Sequence, residues 1–235
     1  MTNLQPVHLT KRLTAIAQQV PQGSRLADIG SDHALVPVHL VQTGQIQFAI
    51  AGEVIPGPLS RAKQAIEAAG LTQQIQPRLA NGLAAIRPAD QVDTVVIAGM
   101  GGQLICDILT AGQPHETGIQ RLILEPNIQE DLVRQWLGAH RYQIKAETIV
   151  AEEQHVYEII VAELAEQAIQ YSPQALKFGP YLMQEKSPVF RAKWRHRYDT
   201  NEKIMANLRH NARGDQSQKL AALTVENKMI QGVWQ

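Results

Sequence analysis

The sequence predicts an α/β fold, in which an open and mostly parallel sheet is followed by a helical C-terminal part. Two observations carry this prediction. Short apolar runs that end in glycine or an acid alternate with segments of helical periodicity, and after Ala165 the pattern becomes wholly helical. Alternation of strands and helices is typical of parallel sheets, because each helix carries the chain back to begin the next strand. We place a domain boundary near residues 165–176 and expect two domains, 1–165 and 166–235.

The predicted strands are short apolar segments between polar or glycine-containing turns. They cover an apolar run that begins at Leu26, then Phe48–Glu53, Ile75–Leu79, Thr94–Ala98, Arg121–Glu125, Tyr142–Val150 and Tyr157–Leu164. No helix separates the last two, which predicts one antiparallel insertion in the sheet. This is the Rossmann-like, seven-stranded layout of class I methyltransferases, and a plain dinucleotide-binding domain would lack the terminal pair of strands.

Segments with helical spacing lie between the strands. Leu9, Leu13, Ile16 and Val20 mark the first helix, and Pro37 falls in the first turn of the second, where its missing amide hydrogen does little harm. Further helices are predicted over residues 58–69, 102–111 and 128–139.

Composition indicates an ordinary globular protein, with 44% hydrophobic and 19% charged residues in a chain of 235. No apolar run reaches the ~18 residues of a membrane span, and no signal-type apolar block begins the chain. The single cysteine, Cys106, excludes an intramolecular disulfide, and the scattered histidines lack the spacing of metal ligands. We expect a cytoplasmic monomer without bound metal or membrane contact.

The net charge of zero conceals an asymmetry along the chain. Before Gln167 there are 11 Lys and Arg against 17 Asp and Glu, whereas residues 167–213 carry 9 against 3. An acidic body with a basic appendage fits a polyanionic partner. A solvated helix surface explains the same charge equally well.

The turn after the first strand indicates which cofactor the sheet binds. A dinucleotide fingerprint needs three spaced glycines, but here Gly30 is followed by Asp32 and Ala34 at the other two positions. A carboxylate at Asp32 would repel a diphosphate but suits a ligand that carries an ammonium and a sulfonium. This favours S-adenosylmethionine and methyl transfer over a nicotinamide and hydride transfer. Glu53 ends the second strand, where an acid accepts hydrogen bonds from ribose hydroxyls.

Two later turns fit the same ligand. Asn81-Gly82 follows the third strand, where an amide side chain can meet the adenine edge. The segment 98–102, Ala-Gly-Met-Gly-Gly, offers a flat backbone surface, and Met100 an adaptable apolar side chain. Each feature also has a structural explanation: an ordinary turn for the glycines, a surface acid for Glu53, and an acceptor of helix amides for Asp28.

Several segments together resemble the bacterial tRNA (adenine-22, N1) methyltransferases, the TrmK family. They are Asp28-Ile-Gly-Ser-Asp-His-Ala34, Ala51-Gly-Glu-Val54, Asn81-Gly-Leu83, Ile97-Ala-Gly-Met-Gly-Gly102, Leu124-Glu-Pro-Asn127 and Tyr157-Glu-Ile-Ile160. The resemblance extends from about Leu9 to the C-terminal helices. It departs at Glu125, where the family is expected to carry Gln, and this departure bears on the handling of the target base.

The resemblance implies an enzyme that methylates N1 of an adenine in the tRNA D-arm, with S-adenosylmethionine as cofactor and helical C-terminal contacts to tRNA. The cofactor-binding residues that we expect are Asp28, Gly30, Ser31, Asp32, His33, Glu53, Val54, Asn81, Gly82, Ala98, Gly99, Met100 and Gly101. The expected RNA-binding residues are Lys11, Arg12, Arg191, Lys193, Arg195 and Arg197.

The chemistry makes modest demands on the protein. Adenine N1 has an in-plane lone pair and needs no strong base, so most of the acceleration can come from alignment. The Asn/Asp-Pro-Pro-aromatic motif used for exocyclic amines is absent. In a duplex N1 is hidden by pairing, so the base must be unpaired or flipped out. Asp28, Asp32 and Asn127 are the candidate catalytic residues, and the sequence does not rank them.

Other functions remain open at this point. They are a nicotinamide dehydrogenase, a methyltransferase of another RNA, a small molecule or a protein, and a non-catalytic RNA-binding relative. The missing glycines disfavour the first. A non-catalytic relative is expected to have lost Gly30, Glu53 or Gly99, and all three are present.

The C-terminal segment predicts an antiparallel helical hairpin, a coiled coil that turns at Arg213-Gly214-Asp215. The first arm offers the seam residues Trp194, Tyr198, Asn201, Met205, Leu208 and Ala212. The second offers Leu220, Leu223, Asn227, Ile230 and Trp234. Folding about Gly214 sets Asn201 opposite Asn227 and Trp194 opposite Trp234. We expect the two amides to satisfy each other; the alternative is that both face solvent.

Overall fold

The computed structural model describes residues 6–211 and 215–234 and has a seven-stranded sheet in the order β3-β2-β1-β4-β5-β7-β6. The strands are β1 (Arg25–Ile29), β2 (Phe48–Glu53), β3 (Ile75–Leu79), β4 (Thr94–Gly101), β5 (Arg121–Ile128), β6 (Tyr142–Glu152) and β7 (His155–Leu164). The first five are parallel, whereas β7 is antiparallel to both β5 and β6. The predicted fold class is confirmed.

Helices cover both faces of the sheet. They are α1 (Lys11–Ala17), α2 (Leu35–Gln42), α3 (Pro56–Ala68), α4 (Gly102–Gly112), α5 (Glu130–Ala139), α6 (Pro173–Phe178), α7 (Leu182–Glu185), α8 (Pro188–Asn211) and α9 (Ser217–Trp234). Successive strand residues point to opposite faces. Val95 and Ile97 therefore pack with α4 and α5, while Val96 packs with α1, α2 and α3.

Four strands are longer than predicted: β6 ends at Glu152 and β7 begins at His155, each two residues beyond the prediction, and β4 and β5 each gain three residues. β4 reaches Gly101 and β5 reaches Ile128, because their pairing continues past the apolar run through register shifts around Met100. Glycine and polar residues indicated a turn in the sequence, but strand pairing extends through them. As a consequence α5 begins at Glu130 rather than Ile128, after Gln129 in a left-handed conformation (φ 63°).

The arms α8 and α9 pack antiparallel. Met205 contacts Thr224, Asn201 contacts Asn227 and Tyr198 contacts Gln231. Residue numbers thus fall along α8 as they rise along α9, which shows that the two helices are antiparallel. Of the predicted turn, Arg213 and Gly214 lie outside the described residues, as does the seam residue Ala212.

The Asn pair forms only in part as predicted. Asn201 and Asn227 are both buried, and Asn201 Nδ2 donates to Asn227 Oδ1 at 2.9 Å. The reverse bond is absent, because Asn227 Nδ2 donates to Glu202 Oε1 at 2.7 Å, and Asn201 Oδ1 is buried without a partner. The expectation of mutual satisfaction is therefore wrong. Neighbouring acids on the two helices compete for the amides.

The end of the seam also differs. The ring of Trp234 packs on Tyr198, with centroids 5.1 Å apart, while Trp194 contacts Phe178 at 4.6 Å. Trp194 packs instead at the junction between the helices and the sheet. It belongs there to an apolar cluster with Phe178, Leu182, Phe190 and Ile230. The heptad pattern of the two helices could not predict this packing, because it contains no information on the residues of α6 and α7.

Buried charges also join the helices to the sheet. The Arg134 guanidinium, on α5, is fully buried between Glu147 (Nε to Oε1, 2.7 Å) and Glu158. The Lys193 ammonium, on α8, bridges Glu158 at 2.7 Å and Glu130 at 2.6 Å. Removal of one member would leave a buried charge unpaired, so this network fixes α8 against β6 and β7.

Across residues 6–211 and 215–234, no helix combines the length and apolar character that crossing a membrane requires. The same residues contain no cluster of three His, Cys, Asp or Glu side chains arranged to hold a metal ion.

Candidate active site

The turn after β1 brings the backbone close to its neighbours. Gly30 has φ +78°, in the left-handed region that glycine tolerates, and its amide donates to the Gly52 carbonyl at 2.8 Å. A Cβ at this position would lie 2.2 Å from Cε of Met100. The positive φ favours glycine here, and any side chain would also have to displace the Met100 methyl group.

Asp28 is a buried acid beside this turn. Ser31 Oγ donates to Asp28 Oδ2 at 2.5 Å, and both side chains are buried. Burial raises the pKa of Asp28 to about 6; the Ser31 hydrogen bond opposes the rise, and the nearby Glu53 carboxylate adds to it. A cation bound at the edge would favour the ionised form, so the site suits a ligand with an ammonium group.

Glu53 is held rigidly at the end of β2. Its Oε1 accepts from the amides of Val54 at 2.8 Å and Ile55 at 3.0 Å, and the residue is buried. The two residues that follow expose apolar side chains, each 56% accessible. A fixed acid next to an exposed apolar surface fits a ribose joined to a flat base.

Asp32 has a different environment from Asp28. Both of its oxygens accept from Arg61 of α3, at 3.0 Å and 3.1 Å, and its side chain is half exposed. The Arg61 hydrogen bond holds the pKa of this carboxyl below its usual range. His33 has φ 65°, and its Nε2 lies 3.7 Å from Asp32 Oδ1. Asp32 therefore has a cationic partner already, and its role toward the cofactor stays a prediction.

The turn after β3 borders a cavity. Asn81 is exposed, and Gly82 has φ +54° with Ile108 so close that an added Cβ would lie 2.9 Å from Cγ2. A cavity of about 460 Å³ lies beside this turn and α4 and is also lined by Leu104 and Asp107. This arrangement leaves room for a ring beside the Asn81 amide.

The turn at the end of β4 faces Gly30. Gly99 has φ +75°, and Met100, the next residue, covers Gly30. Gly101 has space, because an added Cβ would meet Ile128 only at 3.8 Å, whereas at Gly102 it would lie 2.4 Å from the Gln129 carbonyl oxygen. Close packing thus requires glycine at Gly102, where α4 begins against the end of β5.

The sequence analysis connected Glu125 with the handling of the target base but did not predict its contacts. Glu125 is fully buried, and its Oε2 accepts from the Gly99 amide at 2.9 Å and from Arg12 Nη1 at 2.6 Å. Burial raises its pKa, and Arg12 opposes that rise. An acid at the end of an apolar strand is the signal that could have indicated a buried carboxylate with partners on neighbouring elements.

Asn127, the third candidate for catalysis, is exposed at the end of β5. It borders a cavity of about 430 Å³ between the sheet and the helical part. Lys193 and Arg197 form part of the opposite wall. Ile128, which also lines this cavity, pairs with Gly101 at the end of β4.

The predicted RNA-binding residues fall into two groups. Lys193 is engaged by Glu130 and Glu158, Arg12 by Glu125 and the half-exposed Arg197 by Glu226, whereas Lys11, Arg191 and Arg195 are exposed. Burial raises the pKa of Glu226, but hydrogen bonds from Arg197 and Lys177 outweigh it and lower the pKa to about 2. Arg195 lies over the Trp234 ring at 5.2 Å.

Known proteins resemble this chain over nearly its whole length. Residues 26–230 match the family described as "TrmK: tRNA (adenine(22)-N(1))-methyltransferase". A Bacillus subtilis (strain 168) protein named tRNA (adenine(22)-N(1))-methyltransferase is 38% identical over 230 residues, which cover 96% of each chain.

Solved structures agree with this likeness. A putative tRNA (m1A22) methyltransferase of Streptococcus pneumoniae, in complex with S-adenosyl-L-methionine, is 42% identical with a TM-score of 0.88, covering 97% of this chain and 100% of that one. M. capricolum TrmK, in complex with S-adenosyl-homocysteine, is 27% identical with a TM-score of 0.82, covering 95% and 96%.

Proposed function

Because this chain belongs to the family of tRNA (adenine(22)-N(1))-methyltransferases, we propose that the carboxyl edge of its sheet is where adenine 22 of tRNA receives a methyl group on N1. The chain is an S-adenosylmethionine-dependent tRNA methyltransferase. The observation that carries the assignment of the site is the convergence of Gly30, Asp28 and Glu53 at one edge of the sheet, next to Met100.

The donor groups at this edge fit the cofactor. Glu53, fixed by two backbone amides, accepts from the ribose hydroxyls, and Asn81 meets the adenine beside the cavity at α4. Asp28 attracts the methionyl ammonium, and the close backbone at Gly30 admits the methionyl chain. The remaining members of this site are Ser31, Asp32, His33, Val54, Gly82, Ala98, Gly99, Met100 and Gly101.

The bound cofactor supplies a methyl group on a sulfonium, which the adenine lone pair can attack without a strong base. The residues of this chain align the two partners and exclude water. Asn127 is exposed at the end of β5 and offers an amide to the flipped base, while Asp28 and Asp32 can accept from its exocyclic amine as positive charge develops.

Exposed basic side chains hold the tRNA in this proposal. The side chains accessible to phosphates are Lys11, Arg191 and Arg195. Acids of the protein already pair with Lys193, Arg197 and Arg12, so the main role of these three is to stabilise the fold. Residues 1–165 form the catalytic domain and 166–235 the tRNA-contacting domain of a cytoplasmic monomer that binds neither membranes nor metal.

The decisive experiment methylates an unmodified tRNA transcript and maps the product. The protein, S-adenosylmethionine and a tRNA with adenine at position 22 should yield N1-methyladenine there, which primer extension detects as a stop because N1 lies on the pairing edge. A transcript with guanine at position 22 is the matched control. Methylation at another position, or equal methylation of the control, would point to the runner-up, a methyltransferase of another RNA site or of a small molecule.

Titration calorimetry separates the cofactor classes independently of tRNA. The protein should bind S-adenosylmethionine and not NAD, because Asp32 and Ala34 replace two fingerprint glycines. Binding of NAD alone would instead support a dehydrogenase.

A further inference from the structure

Glu125 ends the apolar part of β5 with a carboxylate that is 0% exposed. Its Oε2 serves two donors, the Gly99 amide at 2.9 Å and Arg12 Nη1 at 2.6 Å. Its Oε1 is buried and has no hydrogen-bond partner among the described residues. Burial of a carboxylate with only one oxygen hydrogen-bonded is costly, so we looked for what Glu125 holds in place.

Arg12 is fixed from several sides. Its guanidinium lies 5.1 Å from the centre of the Tyr157 ring, and its backbone amide donates to Glu152 Oε1 at 3.3 Å. The side chain is 24% exposed. Arg12 thus ties α1 and the β6–β7 pair to Glu125, and its charge is committed within the protein rather than free for a phosphate.

Arg12 and Glu125 together hold the Gly99 peptide in place. The amide of Gly99 points to Glu125, in a left-handed conformation (φ +75°), and Arg12 Nη1 is 3.6 Å from where a Gly99 Cβ would lie. Met100 follows directly and its Cε fills the space over Gly30. A rotation of the Gly99 peptide would therefore move Met100 away from the cofactor turn.

We propose that Arg12 and Glu125 are positioning residues for methyl transfer, which hold Gly99 and Met100 against Gly30 and so define where the acceptor base meets the methyl group. This inference rests on the proposed function. Alignment of the reacting atoms governs a reaction that needs no strong base, so misplacement of this peptide should affect turnover more than binding.

The test separates turnover from affinity in four variants. Glu125→Leu removes the acceptor of the Gly99 amide and should lower kcat for tRNA methylation ~10- to 100-fold, while KM for tRNA and the Kd of S-adenosylmethionine stay near wild type. Glu125→Gln should restore most of kcat, because its carbonyl oxygen still accepts from Gly99 and Arg12. Arg12→Met should lower kcat as well.

Glu163→Gln is the matched control. Glu163 pairs with Arg121 at the opposite end of β5, far from the Gly99 turn, so its loss of charge should leave kcat unchanged. Calorimetry and thermal unfolding establish that each variant is folded and binds cofactor.

Two results with the variants would overturn the inference. Wild-type kcat in folded Glu125→Leu excludes a positioning role, and a raised KM for tRNA with unchanged kcat in Arg12→Met makes Arg12 a tRNA contact. If Glu125→Leu does not fold, Arg12→Met decides alone. A wild-type protein that binds cofactor but methylates no tRNA overturns the proposed function and this inference with it, whereas an active wild type with unaffected variants overturns the inference only.

Discussion

At the scale of single residues, two aspartates four positions apart have opposite electrostatic environments. Asp28 is buried with a hydroxyl partner, whereas Asp32 is half exposed and paired with Arg61. Burial raises the pKa of Asp28 to about 6, while the pKa of Asp32 is lowered. Asp28 is therefore the acid whose charge changes in the range where cofactor binding can be measured.

Cofactor affinity should depend on pH through Asp28. A cationic ammonium binds the ionised carboxylate, so affinity for S-adenosylmethionine should be full above about pH 6 and fall by up to ~10-fold per pH unit below it. Calorimetry across this range measures the effect. Asp28→Asn should bind more weakly at high pH and lose the dependence; the same pH profile in both proteins would remove Asp28 from the ammonium site.

The same titration has a consequence for stability. The folded pKa of Asp28 is raised, so the folded state holds a proton that the unfolded chain releases, and the free energy of unfolding should fall as pH rises from about 4 to about 6. Without cofactor, Asp28→Asn should be more stable at pH 7 by ~1–3 kcal/mol. Urea unfolding of both proteins at pH 4 and pH 7 tests this, and an equal difference at the two pH values would contradict it.

Glu53 should contribute to cofactor binding through its fixed carboxylate. Glu53→Ala should weaken binding of S-adenosylmethionine by ~1–3 kcal/mol, because the ribose hydroxyls lose a charged acceptor. Glu53→Gln is the control, since its carbonyl can still accept from Val54 and Ile55 and keep the turn in place. Calorimetry that finds wild-type affinity in folded Glu53→Ala would exclude Glu53 from the site.

At the scale of elements, local periodicity predicted β2 and β3 at the bounds that the structure has, and it predicted the burial of Asn201 and Asn227. It could not predict contacts that join distant parts of the chain. Arg12 and Glu125 are 113 residues apart, and Lys193 lies 35 residues from Glu158. The basic charge of this segment led to the prediction that Lys193 binds RNA, whereas folding brings its ammonium against two acids.

The helical hairpin offers a test of its polar pair. Asn201→Leu removes the donor to Asn227 Oδ1 and to Glu226 Oε2, and should lower the free energy of unfolding by ~1–3 kcal/mol. Replacing both residues with Leu should recover stability relative to the single variant but loosen the register. Urea unfolding gives the first quantity and amide hydrogen exchange in α8 and α9 the second. A fully stable single variant would mean that the bonds between the arms contribute nothing.

At the scale of the whole molecule, the helical part is joined to the sheet by charge as well as by apolar packing. Glu147 Oε2 accepts from the Tyr181 amide at 2.9 Å, and Lys193 reaches Glu158 on β7. Deletion of residues 166–235 would remove these partners and leave Arg134 alone to balance the buried carboxylates of Glu147 and Glu158. Point variants on α8 therefore test tRNA binding more cleanly than a truncation does.

Salt dependence should distinguish tRNA contacts from internal ion pairs on that helix. Each lost phosphate contact lowers the slope of log affinity against log salt by ~0.7–0.9. Arg191→Ala and Arg195→Ala should each weaken tRNA binding and reduce the slope by about this amount, because both side chains are exposed. Lys193→Met should leave the slope unchanged and lower the melting temperature instead, because its ammonium is held by Glu130 and Glu158.

Fluorescence titrations of labelled tRNA at several salt concentrations give the slopes, and thermal unfolding gives the second quantity. Lys193 lies between Arg191 and Arg195 on the same helix, so all three variants remove a positive charge from the same segment. They differ in whether that charge is exposed or held by acids of the protein. A reduced slope in Lys193→Met alone would mean that tRNA draws this ammonium away from its acids. The basic helix would then bind phosphates by rearranging the junction between α8 and the sheet.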